Sequence, residues 1–300
     1  MTPHTVFSIV ITTWNSRKQL AHCLNSILET QIRYSYEVIV SDASSSDGTE
    51  QFLTNLGTDE KEHLSLSIVV DEDRGWPHSV NVGAKKAKGE WILLTNPDIQ
   101  FNDTIMRLLD YAVQNKEQHP VIGVNLKSPE GTIAKPSRVP NFADIFFCFT
   151  ALGTVLDRHI AHGGIARAFW QQTLFEKPYY CDHPASSFLC IRSDLFSRTG
   201  GFNEKFWLYH ADSEFMRRMK HCHIRPVVNP QTVLVHYPSH SMKLRSAEDL
   251  RDVFRQGQLA YAQLMGFRRP LCEFLLWMDS AYLRVLQLVN EARKRVRKLL

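Results

Sequence analysis

Apolar and polar positions fall into alternating blocks along the first hundred residues. Val6 to Thr12 is a near-continuous apolar run of strand length, and Glu37–Ser41, Leu66–Val70 and residues 90–95 repeat the pattern. Between these runs apolar residues recur at helical spacing. Leu20, Cys23, Leu24, Ile27 and Leu28 mark a helix over Arg17–Leu28, and Thr49–Leu56 and residues 78–88 mark two more. Strands alternating with helices imply right-handed crossovers and a mostly parallel, Rossmann-like α/β sheet with helices on both faces.

Beyond residue 98 the pattern loosens. Residues 103–115 and 210–221 read as helices, Val121–Leu126 as a strand and Val233–His236 as a short strand. Residues 142–156 form one very apolar stretch, of a length that suits a core helix or a helix on a membrane surface. Near the end, Leu271, Leu275, Met278, Tyr282, Val285, Val289, Ala292, Val296 and Leu299 recur in steps of four and three, a heptad seam. Residues 1–245 therefore read as one α/β domain and 246–300 as an amphipathic helical extension. The end of that extension is basic, with Arg284, Arg293, Lys294, Arg295, Arg297 and Lys298. Residues 270–300 leave three partners open: the chain's own domain, a second copy, or a membrane surface.

Composition narrows the class. The 300 residues are 44% hydrophobic and 22% charged, as in a globular protein, and the net charge of +4 demands no nucleic-acid partner. No run of 18 apolar residues predicts a membrane-spanning helix, and the N-terminus lacks the basic start of a signal peptide. Six scattered cysteines without a C-x-x-C pair read as reduced thiols in a cytoplasmic setting. His221-Cys222-His223 is not expected to bind metal, because adjacent residues point apart and no second ligand pair is near.

The strand ends carry the candidate chemistry. There is no G-x-G-x-x-G after the first strand and no G-x-x-x-x-G-K-[ST], which argues against a dinucleotide dehydrogenase and a P-loop nucleotidase. The first strand ends Thr12-Thr13-Trp14-Asn15-Ser16, the second Ser41-Asp42, the third Asp71-Glu72-Asp73-Arg74-Gly75 and the fourth Asn96-Pro97-Asp98. In open α/β sheets ligands bind beyond the carboxyl ends of the strands. A rim this acidic suits a nucleotide only where a divalent cation screens its phosphates.

The ordered segments T-T-W-N-S, D-A-S-S-S-D-G-T, E-D-R-G…N-V-G, L-L-T-N-P-D, G-G-F-N-E-K-F-W-L-Y-H-A-D-S-E-F and V-H-Y-P-S-H-S, spanning about residues 6–241, resemble the family-2 glycosyltransferases of GT-A fold, most of all their rhamnosyltransferase-like branch. The resemblance implies a nucleotide-sugar-binding half over 1–126 and an acceptor-binding half over 127–245. It implies a nucleoside-diphosphate sugar as donor, Mn²⁺ or Mg²⁺ as cofactor, and a glycan or lipid-linked glycan as acceptor in bacterial surface polysaccharide synthesis.

The same resemblance assigns residues. Asp42, Asp73 and Asn96 fall on donor-nucleotide positions, Asp42 alternatively forming an Asx turn or cap with Asp47 the helix cap beside it, while Thr12 and Trp14 line the same crevice if the first strand is central, Trp14 alternatively being core. Asp98 matches the last carboxylate of the metal motif, whose first carboxylate is here Asn96. His236 matches a metal-coordinating histidine, with His240 as its competitor. Asp212 falls on the general-base position and Glu214 on the second acidic, acceptor-side position, while Ala211 replaces the usual glutamate and Ala185-Ser186-Ser187 departs from a Gly-Ala pair. These departures keep a catalytically silent nucleotide-sugar-binding or scaffold protein of the same fold as the alternative. A pyrophosphorylase would need a Gly-rich, Arg-containing loop where Thr12–Asn15 stands.

Overall fold

The computed structural model describes residues 5–58, 66–171, 175–238 and 244–299. Residues 1–4, on which the reading of no leader rests, and His240 lie outside them, as do the side chains of the seam positions Ala292, Val296 and Leu299. The first half runs β1 (Phe7–Thr13), α1 (Arg17–Glu29), β2 (Tyr36–Asp42), α2 (Thr49–Thr58), β3 (Leu66–Val70), α3 (Trp76–Ala84), β4 (Trp91–Thr95), β5 (Ile99–Gln100), α4 (Ile105–Gln114) and β6 (Val121–Lys127). The second half runs α5 (Phe142–Phe147), α6 (Ala151–Ile160), α7 (Gly164–Phe169), β7 (Tyr179–Tyr180), β8 (Phe188–Arg192), α8 (Ser193–Arg198), α9 (Ala211–His221) and β9 (Val227–His236). Two C-terminal helices follow, α10 (Ala247–Leu264) and α11 (Arg269–Leu299).

The described strands form one sheet in the order β3-β2-β1-β4-β8-β6-β9-β5, with β7 beside β9. Every residue of β1 is buried, which is why its sequence is an unbroken apolar run rather than an alternating one. Leu20, Leu24 and Ile27 of α1 and Leu108 and Leu109 of α4 cover one face. Val80 of α3 and Phe215, Met216 and Met219 of α9 cover the other. The expected parallel sheet holds for β1 against β2 and β4 and for β2 against β3. Past β4 the sheet is mixed, because β8 inserts antiparallel between β4 and β6.

Three further departures have local causes. The apolar stretch 142–156 is two helices, broken where Thr150 accepts a hydrogen bond from the Gly153 N–H and starts α6. β9 begins six residues before the expected Val233, and its register slips at Asn229-Pro230, where the apolar pattern also lapses. The extension contains two helices, and its first part packs on the chain's own core. The Tyr261 hydroxyl of α10 donates to the Pro140 carbonyl, and Asp279 of α11 accepts from the Leu152 N–H. All six cysteines are free thiols.

Candidate active site

The carboxyl ends of β1 and β4, the end of β9, and the segments before β8 and α9 enclose a cavity of about 450 Å³. Thr12, Trp14, Asp73, Asn96, Asp98, Asp212 and His236 all line it. Seven positions drawn from five separate segments thus converge on one space. Asp42 and Glu214 do not line it.

Each convergence has a backbone cause. The short β5 pairs antiparallel with β9, setting Ile99 opposite His236, and the Tyr237 N–H donates to the Asp98 carbonyl at 2.9 Å. The Asp98 carboxylate is thereby held 3.4 Å from His236 Nε2. Its Oδ1 is buried without a hydrogen-bond partner, an expensive arrangement unless a cation or donor supplies one. A carboxylate oxygen beside an imidazole nitrogen is a donor pair that suits Mn²⁺ or Mg²⁺. Among the described residues no cluster of three or more His, Cys, Asp or Glu side chains occurs, so the pair fits an ion that takes its remaining ligands from a bound phosphate. Asn96 lines the same wall, its N–H donating to the Ser187 carbonyl.

A second group surrounds Asp212, in the first turn of α9. His210, just before the helix, takes the left-handed conformation at φ 66°. The Asp212 carboxylate accepts from Ser186 Oγ and, on its other oxygen, from the Ser213 N–H at 2.8 Å. His183 Nε2 stands 3.5 Å from the carboxylate. His183 Nδ1 faces the Pro184 carbonyl at 2.9 Å and must be the donor there, which fixes the ring with Nε2 toward Asp212 and the Ser213 hydroxyl. Burial works to raise the Asp212 carboxyl, but the His183 imidazole and the bonds from Ser186 and Ser213 outweigh it and hold the group below the ordinary carboxylate range. Burial drives the neighbouring His210 imidazole down to about 4, and its Nε2 is buried without a partner.

Arg245, which has no counterpart among the sequence-based candidates, crosses the cavity mouth. Its guanidinium carbon lies 4.0 Å from the Trp14 ring centroid and 4.2 Å from that of Trp207. Its Nη2 pairs with Asp73 Oδ2 at 2.9 Å. Trp14 is thus a wall of the cavity and not a core residue. Trp207 and Ser186 also went unassigned, although both sit inside or beside readable segments. Arg245 follows a stretch without any pattern.

Two candidates stand elsewhere. Asp42 ends β2 and is buried, with its carboxylate turned to Ser45, whose N–H and hydroxyl donate to it. Burial raises its carboxyl. Asp47 does cap, accepting from the Arg17 N–H and the Thr49 N–H. Glu214 lies two residues from Asp212 on α9, and positions i and i+2 of a helix point to different sides. Its Oε1 accepts from Arg218 Nε at 2.8 Å, and Arg218 also donates to the Thr199 and Gly201 carbonyls. Glu214 thus forms, through Oε1, a clamp beneath the loop that leads into α9 rather than part of the cavity lining.

That loop is locked to α3. Asn81 donates to the Phe202 carbonyl and to Glu204, and accepts from the Phe202 N–H at 2.8 Å. A β-carbon on Gly201 would sit 2.3 Å from Asn81 Oδ1, and one on Gly75 2.3 Å from the Trp207 carbonyl. Gly75 and Gly201, at φ 96° and 70°, thus permit both backbone shape and close approach. The segments E-D-R-G…N-V-G and G-G-F-N-E are read here as one clasp between the two halves.

Comparison with known proteins identifies the family and the fold. The profile of Glycosyl transferase family 2 matches residues 8–174, more than half of the chain. Over 241 residues the chain is 25% identical to the O-antigen biosynthesis protein RfbC of Myxococcus xanthus, covering 78% of this chain and 17% of that protein. Over 213 residues it is 27% identical to the undecaprenyl-phosphate 4-deoxy-4-formamido-L-arabinose transferase of Pectobacterium carotovorum, covering 69% and 60%. It spans less than two thirds of either relative's length. Its fold matches the mannosyltransferase PcManGT from Pyrobaculum calidifontis, solved with GDP-Man and Mn²⁺, at TM-score 0.55 and 19% identity over 94% of this chain and 70% of that one.

Proposed function

The chain belongs to glycosyl transferase family 2, and on that premise we propose an inverting, metal-dependent sugar transfer in bacterial surface-glycan assembly. The donor is a nucleoside-diphosphate sugar carrying a hexosyl or deoxyhexosyl group, and the acceptor is a glycan hydroxyl, free or lipid-linked. The observation that carries this reading is the pairing, in one cavity, of the orphaned Asp98–His236 donor pair with a separately oriented carboxylate, Asp212.

Asp212 takes the proton of the acceptor hydroxyl as that oxygen attacks the anomeric carbon. The new carbon–oxygen bond forms as the bond to the diphosphate breaks, and the electron pair leaves with the nucleoside diphosphate. Inversion is what the family resemblance implies, and a single displacement assisted by one base, Asp212, fits it. Asp98 and His236 would hold the divalent ion, which neutralises charge on the leaving group. Thr12, Trp14, Asp73 and Asn96 form the donor wall, with Asp42 bracing the β2 end beside it.

The test is turnover of nucleotide sugars by the purified chain with Mn²⁺ and an acceptor extract. Asp212→Asn is expected to lower kcat by about 10²- to 10⁴-fold, the range of general acid–base catalysis, and Asp98→Ala to lower turnover by weakening the hold on the ion that neutralises the leaving group. Unchanged turnover in both variants would refute the assignment. Donor binding without transfer to any acceptor would instead favour the silent binding protein, which Ala211 and Asn96 bring to mind.

A further inference from the structure

The C-terminal helix presents an apolar face that no part of the described chain covers. α11 uses one side for its own core: Cys272 and Leu276 are buried and, with Leu275, line a small apolar gap against Phe142, Ile145 and Ala262. Phe274, Trp277, Val285 and Leu288 lie on a different side at helical spacing, 54%, 60%, 57% and 66% exposed. Phe267, in the turn before the helix, and Leu271 add exposed apolar area.

The charge beside this face is of one sign. Between residues 269 and 290 the only acids are Glu273 and Asp279. Glu273 accepts from Arg269 Nε at 2.7 Å, and Asp279 accepts from the Leu152 N–H. Arg268 and Arg284 are exposed, and the sequence from 291 to 298 adds five basic residues against one acid. No described helix is long and apolar enough to cross a membrane. An amphipathic helix with exposed aromatic residues and a basic flank lies flat in an interface and prefers anionic headgroups.

A second copy fits less well. The seam positions Leu275, Met278 and Tyr282 are half-buried in the chain's own fold, which removes them from a coiled-coil partner. Continued from Phe274 and Trp277 in the alternating steps of three and four of a coiled coil, the exposed face would also bring Arg284 into the contact line.

We propose that α11 docks this chain on an anionic lipid surface through the face bearing Phe274, Trp277, Val285 and Leu288. The proposal stands apart from the transfer reaction, since it uses no residue of the cavity. The experiment is co-sedimentation of the full chain with vesicles of phosphatidylcholine alone or mixed with phosphatidylglycerol, at low and high salt, alongside its mass in solution. Binding is expected only with phosphatidylglycerol, weakening at high salt. Phe274→Glu with Trp277→Glu should lower it at least tenfold while mass and nucleotide-sugar binding stay unchanged. Absence of binding to phosphatidylglycerol vesicles, equal binding by the double variant, or a dimer that the double variant dissociates would each overturn the proposal.

Discussion

At the scale of single residues, the candidate base is better supplied with partners than its sequence context suggests. The segment Tyr209-His-Ala-Asp lacks the glutamate that Ala211 replaces, yet Asp212 gains Ser186 and His183 from the other side of the cavity. Ser186→Ala removes a hydrogen bond to a charged group, worth about 1.5–3 kcal/mol, so kcat should fall about tenfold or more with the donor KM unchanged. Steady-state kinetics with the donor varied separates the two constants; a change confined to KM would contradict the positioning role. His210 makes a second prediction. Its imidazole titrates at about 4 in the folded chain, against about 6.5 when unfolded. The unfolded state therefore binds more protons in that window, and stability should fall as the pH drops from about 6.5 toward 4. The Asp212 contribution is lost only below the ordinary carboxylate value of about 3.9. Thermal melts across this range should show the slope, and His210→Phe should flatten it. Sequence alone found Asp98, His236 and Asp212 because they sit in ordered motifs. Glu214 sits on the same helix but outside the cavity, since neighbours two apart on a helix diverge. Arg245 carried no signal, since its role exists only when two tryptophans from distant segments meet.

At the scale of elements, α3 and the loop before α9 behave as one fastening. Asn81, Gly75 and Gly201 close it above, and Arg218 with Glu214 closes it below. Arg218→Ala would strand a largely buried carboxylate and two carbonyls, a loss of about 3 kcal/mol or more. Denaturant unfolding should show it as a lower midpoint, and a shift under 1 kcal/mol would show the clamp to be dispensable. The strands β1, β2 and β4 were legible because burial makes their sequences nearly continuous apolar runs, and the partly exposed edge strand β3 was legible from its branched apolar residues. β5 and β7 were not, being two residues each, too short for any periodicity. β8, with the sequence FLCIR, had the same signal as β1 but stood among irregular segments that obscured it. The first break in residues 142–156 was readable in Thr150, a good cap, and was overridden by the apolar composition around it.

At the scale of the whole molecule, the cavity belongs to neither half alone. Thr12 and Asp98 come from the parallel half, while Ser186, Asp212, His236 and Arg245 come from the mixed half. The parallel half was read from the alternation of strands and helices. The mixed half resisted because its pairings, β4 to β8 and β6 to β9, join segments about a hundred residues apart, and no local pattern encodes such a meeting. The antiparallel insertion of β8 has a temporal consequence. Long-range pairings form slowly, since the loops they close must be ordered before any contact rewards them. During synthesis, β4 waits for β8, β6 waits for β9, and Asp98 waits for His236. The cavity is therefore incomplete in a nascent chain until most of it has emerged. On the proposed function, occupancy by a nucleotide sugar would mark completed folding, and a chain ending before β9 should show neither the binding nor the ligand-induced rise in melting temperature expected of the full chain.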